Sequence, residues 1–86
     1  MGLTEIQKNI LRLYGHRHRV EKSKLLSSQE VAEQLETTRD IINDELEKLE
    51  ALEFLEVQKA WSGWSARITA KGLIVLDEIG PISDRE

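Results

Sequence analysis

Three stretches of this sequence carry side chains able to do chemistry. In "KAWSGWSAR", residues 59–67, Trp61 and Trp64 stand either side of a Ser-Gly pair, with Lys59 and Arg67 at the ends. Aromatic faces interleaved with cations suit nucleobases and phosphates, or a partner protein, since tryptophan concentrates at binding hot spots. A second stretch, "HRHR" at residues 16–19, follows Lys8 and Arg12 and makes residues 1–24 basic, with six cations against two carboxylates. Residues 25–86 hold six cations and fourteen carboxylates, so the net charge of −4 conceals a positive end. A polyanion is attracted by that end and by little else, because a local field follows where charges sit. The third stretch, residues 37–53, opens with Thr-Thr-Arg and then spaces Asp40, Asn43, Asp44 and Glu47 along one side of a helix.

Other chemistry finds less support. His16 and His18 are the only histidines and there is no cysteine, so a metal site would have to recruit carboxylates. We read them as solvated side chains and expect no metal or cofactor. No Ser/His/Asp order carries a family signature, and no glycine-rich loop could cradle a phosphate. An enzyme is not expected.

The elements that position these residues can be read from periodicity. "TEIQ" is a capping box, in which Thr4 accepts from the Gln7 N–H while the Gln7 side chain reaches back. It opens a helix over about 4–15 with Ile6, Ile10 and Leu13 on its apolar face and Gly15 as its stop, and "HRHRVEKSK" beyond is a basic connection or a frayed extension. Ser27 and Glu30 repeat the box before a short helix at 28–36, with Leu26 and Val31 as a hydrophobic staple. Thr37 or Thr38 caps a third helix to about residue 53, whose Ile41, Ile42, Leu46, Leu49 and Leu52 gather on one side and whose acidic residues gather on the other.

From Phe54 the period falls to two, predicting a hairpin over 54–69. A two-residue loop at Ser62-Gly63 pairs Trp61 with Trp64, Lys59 with Ala66, Val57 with Ile68 and Leu55 with Ala70. Thr69 then caps a last helix over 70–79 that ends at Gly80-Pro81, and Gly72 lets that helix lie close to a neighbour. With 86 residues, 40% hydrophobic and 33% charged, the expectation is one soluble domain, 1–86. No signal peptide or membrane span is visible, so the expected location is intracellular, in the cytoplasm.

The order helix, helix, helix, hairpin, helix, with Val31-Ala32, Leu35, Ile42, Leu46, Leu49, Leu55 and Val57 at their spacings, resembles a winged helix-turn-helix domain. "ITAKG", residues 68–72, is similar to the strand exit of MarR-like and PadR-like transcription regulators. The resemblance implies an α+β, mainly α fold: a three-helix core, a two-stranded β wing and a C-terminal helix. It also implies binding to double-stranded DNA, possible pairing as a homodimer, and DNA contacts at Ser28, Thr38, Arg39, Asn43, Lys59, Trp61, Trp64 and Arg67. Arg39 would read guanine and Asn43 adenine, with Ser28 on a phosphate. Lys8, Arg12, Arg17 and Arg19 are further phosphate candidates. Where the family usually has glycine, this chain has Glu36 and Glu53, positions that commonly need positive φ.

The carboxylates Asp40, Asp44 and Glu47 oppose a groove-reading role. The alternative is therefore a protein-interaction or dimerisation module that uses the acidic third helix and the tryptophan-tipped wing.

Overall fold

In a computed structural model, which describes residues 2–20 and 25–80, the chain forms helices α1 (Glu5–Val20), α2 (Ser28–Gln34), α3 (Arg39–Ala51) and α4 (Ala70–Ile79). Its strands are β1 (Leu26–Ser27), β2 (Leu55–Ala60) and β3 (Gly63–Ile68). They form one antiparallel sheet in the order β1-β3-β2. Lys22, Lys24 and the tail from Pro81 lie outside the described residues.

Four helix starts are built as the sequence predicts. The Thr4/Gln7 box is closed in both directions, at 3.2 and 3.0 Å. Ser27, Thr38 and Thr69 accept from the N–H groups of Glu30, Ile41 and Gly72, satisfying donors that have no partner within the helix.

Helix α1 overruns its expected stop. Gly15 is buried in mid-helix because its missing side chain admits Leu76 of α4, and an added Cβ would run into that leucine. The basic last turn, Arg17 to Arg19, sits where the helix dipole favours cations, and Arg17 is pinned to Glu30 of α2. Polar composition alone did not end the helix.

The wing register also differs. Leu55 pairs with Ile68, Val57 with Ala66, Lys59 with Trp64 and Ala60 with Gly63, so the two-residue loop is Trp61-Ser62. Two observations explain the shift. Thr69 donates its N–H to the Phe54 carbonyl at 3.0 Å and its hydroxyl to the Glu53 carbonyl at 2.7 Å, and its capping role removes Ala70 from the ladder. A two-residue slip keeps every side chain on its face, so alternation could not reveal it. A third correction is β1, which pairs Leu26 with Ala66 and Ser27 with Ser65 and makes the sheet three-stranded.

The core joins Ile10, Leu11 and Tyr14 of α1 to Leu26, Val31 and Ala32, to Ile42, Leu46 and Leu49 of α3, and to Leu55, Ala66 and Ile68 of the sheet. Each large aliphatic side chain buried there contributes about 1.5–3 kcal/mol. Ile6 and Leu13, expected in the core, are half-buried, while Ile41 of α3 and Leu52, which caps its C-terminal end, are exposed. The Tyr14 hydroxyl donates to the Leu26 carbonyl at 3.0 Å, tying α1 to β1.

Candidate nucleic-acid interface

The start of α3 is where a helix of this kind would address a ligand. Thr38 holds the helix's first turn by accepting from Ile41 at 3.3 Å, and Arg39 follows it, exposed and with no ion pair to any described residue. Asn43, one turn on, is half-buried, and its Oδ1 is enclosed without a hydrogen-bond partner. A bidentate reading of adenine needs that oxygen exposed, so the arrangement does not present it. Ser28 is wholly buried, its hydroxyl has no hydrogen-bond partner among the described residues, and it lies at the wall of the groove that Arg39 lines.

Between the starts of α2 and α3 and the wing lies an open groove of about 220 Å³, lined in part by Ser27, Gln29, Arg39, Ser62, Trp64 and Ser65. Gln29 and Ser65 carry no recognisable binding motif in the sequence. The nearest signal was Ser27 in its capping box and Ser62 beside the tryptophans.

The two tryptophans have different surroundings. Trp61 at the loop is fully exposed, at 101% of its reference area. Trp64 is half-buried, with the Lys59 ammonium 5.0 Å from its ring centre. The expected Trp61–Trp64 cross-strand pair is replaced by Lys59–Trp64, a consequence of the shifted register.

Both wing cations are already paired. Lys59 Nζ is 3.2 Å from Glu47 Oε2 of α3, and Arg67 Nε is 2.7 Å from Glu56 Oε1. Asp40, Asp44 and Glu47 are exposed as expected. Lys48, donating to Asp44 and lying beside Glu45, holds its proton more tightly than an ordinary lysine. Its charge is thereby committed within the helix.

The α1 cations sit elsewhere. Lys8 is 3.7 Å from Glu5. Arg12 donates to the Gly80 carbonyl at 3.0 Å and to Asn9 at 2.9 Å, so it caps the C-terminal end of α4. Arg17 pairs with Glu30 at 2.9 Å. Arg12 and Arg19 line a second groove, of about 560 Å³, with Leu13, Leu73, Leu76 and Asp77 between α1 and α4. The expected phosphate cations thus do not line the groove that Arg39 and Trp64 share.

No protein-family model matches the chain, and no curated protein sequence does. Solved structures match over nearly its whole length. YusO of Bacillus subtilis superposes with a TM-score of 0.76 at 18% identity, covering 91% of this chain and 53% of that one. Wild-type ZitR of Lactococcus lactis gives 0.69 at 22%, covering 91% and 49%. The reut_b4095 protein of Ralstonia eutropha JMP134, described as a candidate DNA-binding protein, gives 0.80 at 15%, covering 93% and 100%. The chain spans about half the length of YusO and ZitR. Identities this low show the fold, which is a winged helix with four helices and a three-stranded antiparallel sheet.

Proposed function

We propose that this winged helix, with residues 1–86 acting as one domain, binds double-stranded DNA inside the cell as a transcription regulator. The observation that supports it most is Arg39, an exposed arginine without a carboxylate partner among the described residues, held at the first position of a capped α3 beside a polar groove and a wing. An arginine there can address a guanine edge or a phosphate. No residue is assigned a catalytic role. The test is titration of labelled duplex DNA at low and moderate salt, with binding expected at micromolar protein and weakened in Arg39→Ala. No binding at tens of micromolar in low salt overturns the reading.

A second reading, self-association, is favoured by α4 rather than by the acidic helix. Five of its ten residues are Leu, Ile or Val, yet only Gly72 is fully buried and Ile74 is 63% exposed. A helix this apolar is ordinarily covered. The neighbouring groove carries Arg19 and Asp77, opposite charges that a two-fold partner could pair reciprocally. Sedimentation should show a dimer that Ile74→Asp dissociates, whereas a monomer at every concentration removes this reading.

A further inference from the structure

Trp61 is the most exposed large hydrophobic side chain among the described residues. It occupies one of the two loop positions of the wing, its neighbours Ala60, Ser62 and Gly63 are small, and its exposure is complete. An indole that packed for stability would be covered on at least one face. Trp64 is covered, because Lys59 lies over it, and Trp61 has no such neighbour among the described residues.

The charges around it are equally informative. A duplex laid across the outer face of α3 meets Asp40, Asp44 and Glu47, and the wing cations Lys59 and Arg67 are neutralised by Glu47 and Glu56. Counterion release, the usual source of duplex affinity, is therefore weak on this side. Stacking on a nucleobase needs no cation, and every base has a face to offer. Ser62, next in the chain to Trp61, also lines the groove that holds Arg39, so one strand can pass from the arginine to the indole.

We infer that Trp61 stacks on a displaced nucleobase of the bound DNA, so that this wing prefers a site where a base is unpaired or easily unstacked. This deepens the proposed DNA binding and rests on it. A protein patch is the poorer occupant, since a lone ring flanked by small and hydroxyl side chains lacks the contiguous apolar area of an interface core. A flat ring open on both faces does match a base, or the gap between two bases.

The experiment compares a short matched duplex with the same duplex carrying a central bubble of unpaired bases, reading tryptophan emission and affinity across salt concentrations. The bubble is expected to bind about tenfold more tightly and to quench emission at saturation, with a shallow salt dependence of about one to two phosphates. In Trp61→Ala, which retains Trp64, the preference and the quenching should both vanish, while Trp61→Tyr keeps part of the preference. The unfolding temperature of Trp61→Ala should match the wild type, because the side chain is fully exposed. Equal affinity for the two duplexes, a bubble preference that survives in Trp61→Ala, or unmoved emission at saturation overturns the inference and leaves DNA binding standing. Emission that shifts on dilution without DNA, and no longer does so in Trp61→Ala, assigns the ring to a protein interface and overturns it. Absence of binding to either duplex sinks both the inference and the reading beneath it.

Discussion

Lys59 of the wing and Glu47 of α3 form an ion pair, with Nζ and Oε2 3.2 Å apart, so the helix that would face DNA neutralises the wing cation beside it. Glu47→Gln should free Lys59 and remove a carboxylate from the same face. We expect duplex affinity to rise about three- to tenfold at low salt and the salt slope to steepen by about one phosphate. Stability should hardly change, since both side chains are substantially exposed and such pairs are worth about 0–1 kcal/mol. Anisotropy titrations over a salt series provide the measurement, and an unchanged affinity places any DNA on another face.

Arg39→Ala offers the complementary case. It removes a cation that no carboxylate among the described residues compensates, so a loss of about five- to a hundredfold in affinity is expected, with the thermal midpoint unmoved. Equal losses on Lys8→Ala or Arg12→Ala would instead locate the nucleic acid along α1.

Alkaline pH should expose the hydroxyl that joins α1 to β1. Burial first, and the charge of Glu30 second, raise the proton affinity of Tyr14 well above that of a free tyrosine. The folded state therefore keeps a proton that the unfolded chain releases above about pH 10. Its contribution is complete below that pH and falls by about 1.4 kcal/mol per pH unit above it. Tyr14→Phe should be less stable at neutral pH by about 1–3 kcal/mol, because the Leu26 carbonyl loses its donor. Its stability should then decline less steeply in alkali. Chemical denaturation from pH 7 to 11 measures the two slopes, and parallel slopes would exclude Tyr14 as the titrating group.

The two glutamates that stand where glycine was expected do adopt positive φ, 57° at Glu36 and 69° at Glu53. Each follows a helix closed in the same way, by Thr37 N–H to Ala32 O and by Phe54 N–H to Leu49 O. A side chain in that region costs about 1 kcal/mol. Glu36→Gly and Glu53→Gly should each stabilise the fold by about 0.5–1 kcal/mol and raise the melting temperature by a few degrees, as calorimetry can show. The Lys71 partner lost in the second variant is 3.5 Å away and exposed, too weak to reverse the sign.

Gly72 and Gly15 should respond differently to alanine. A Cβ at Gly72 would collide with the Phe54 carbonyl oxygen, which is fixed by its bond from Thr69, and with Ile68. Gly72→Ala should cost about 1–3 kcal/mol despite alanine's better helix propensity. At Gly15 the obstacle is a leucine methyl of Leu76, which can rotate away, so Gly15→Ala should be the milder change. Comparable midpoints for the two variants would show that α4 moves as a whole.

The caps, the core of α3 and the wing's alternation were legible because each is a local pattern: a hydroxyl before a helix, a period of 3.6, a period of two. What escaped depended on partners distant in sequence. The end of α1 is set by Leu76 packing on Gly15, and the hairpin register by Thr69 meeting Glu53 and Phe54. Strand β1, at two residues, is too short to show any period. The candidate site was half visible. Arg39 and Trp61 stand out from their types alone, but pairing of Lys59 and Arg67 with carboxylates, and the burial of Ser28 and of Asn43 Oδ1, exist only once the chain is folded.

Thr69 both donates to Glu53 and accepts from Gly72, while its own N–H reaches Phe54. One residue thus rivets the base of the hairpin to the start of the last helix. A push on α4 would be felt first at the foot of the wing, where Glu53 and Phe54 meet Thr69.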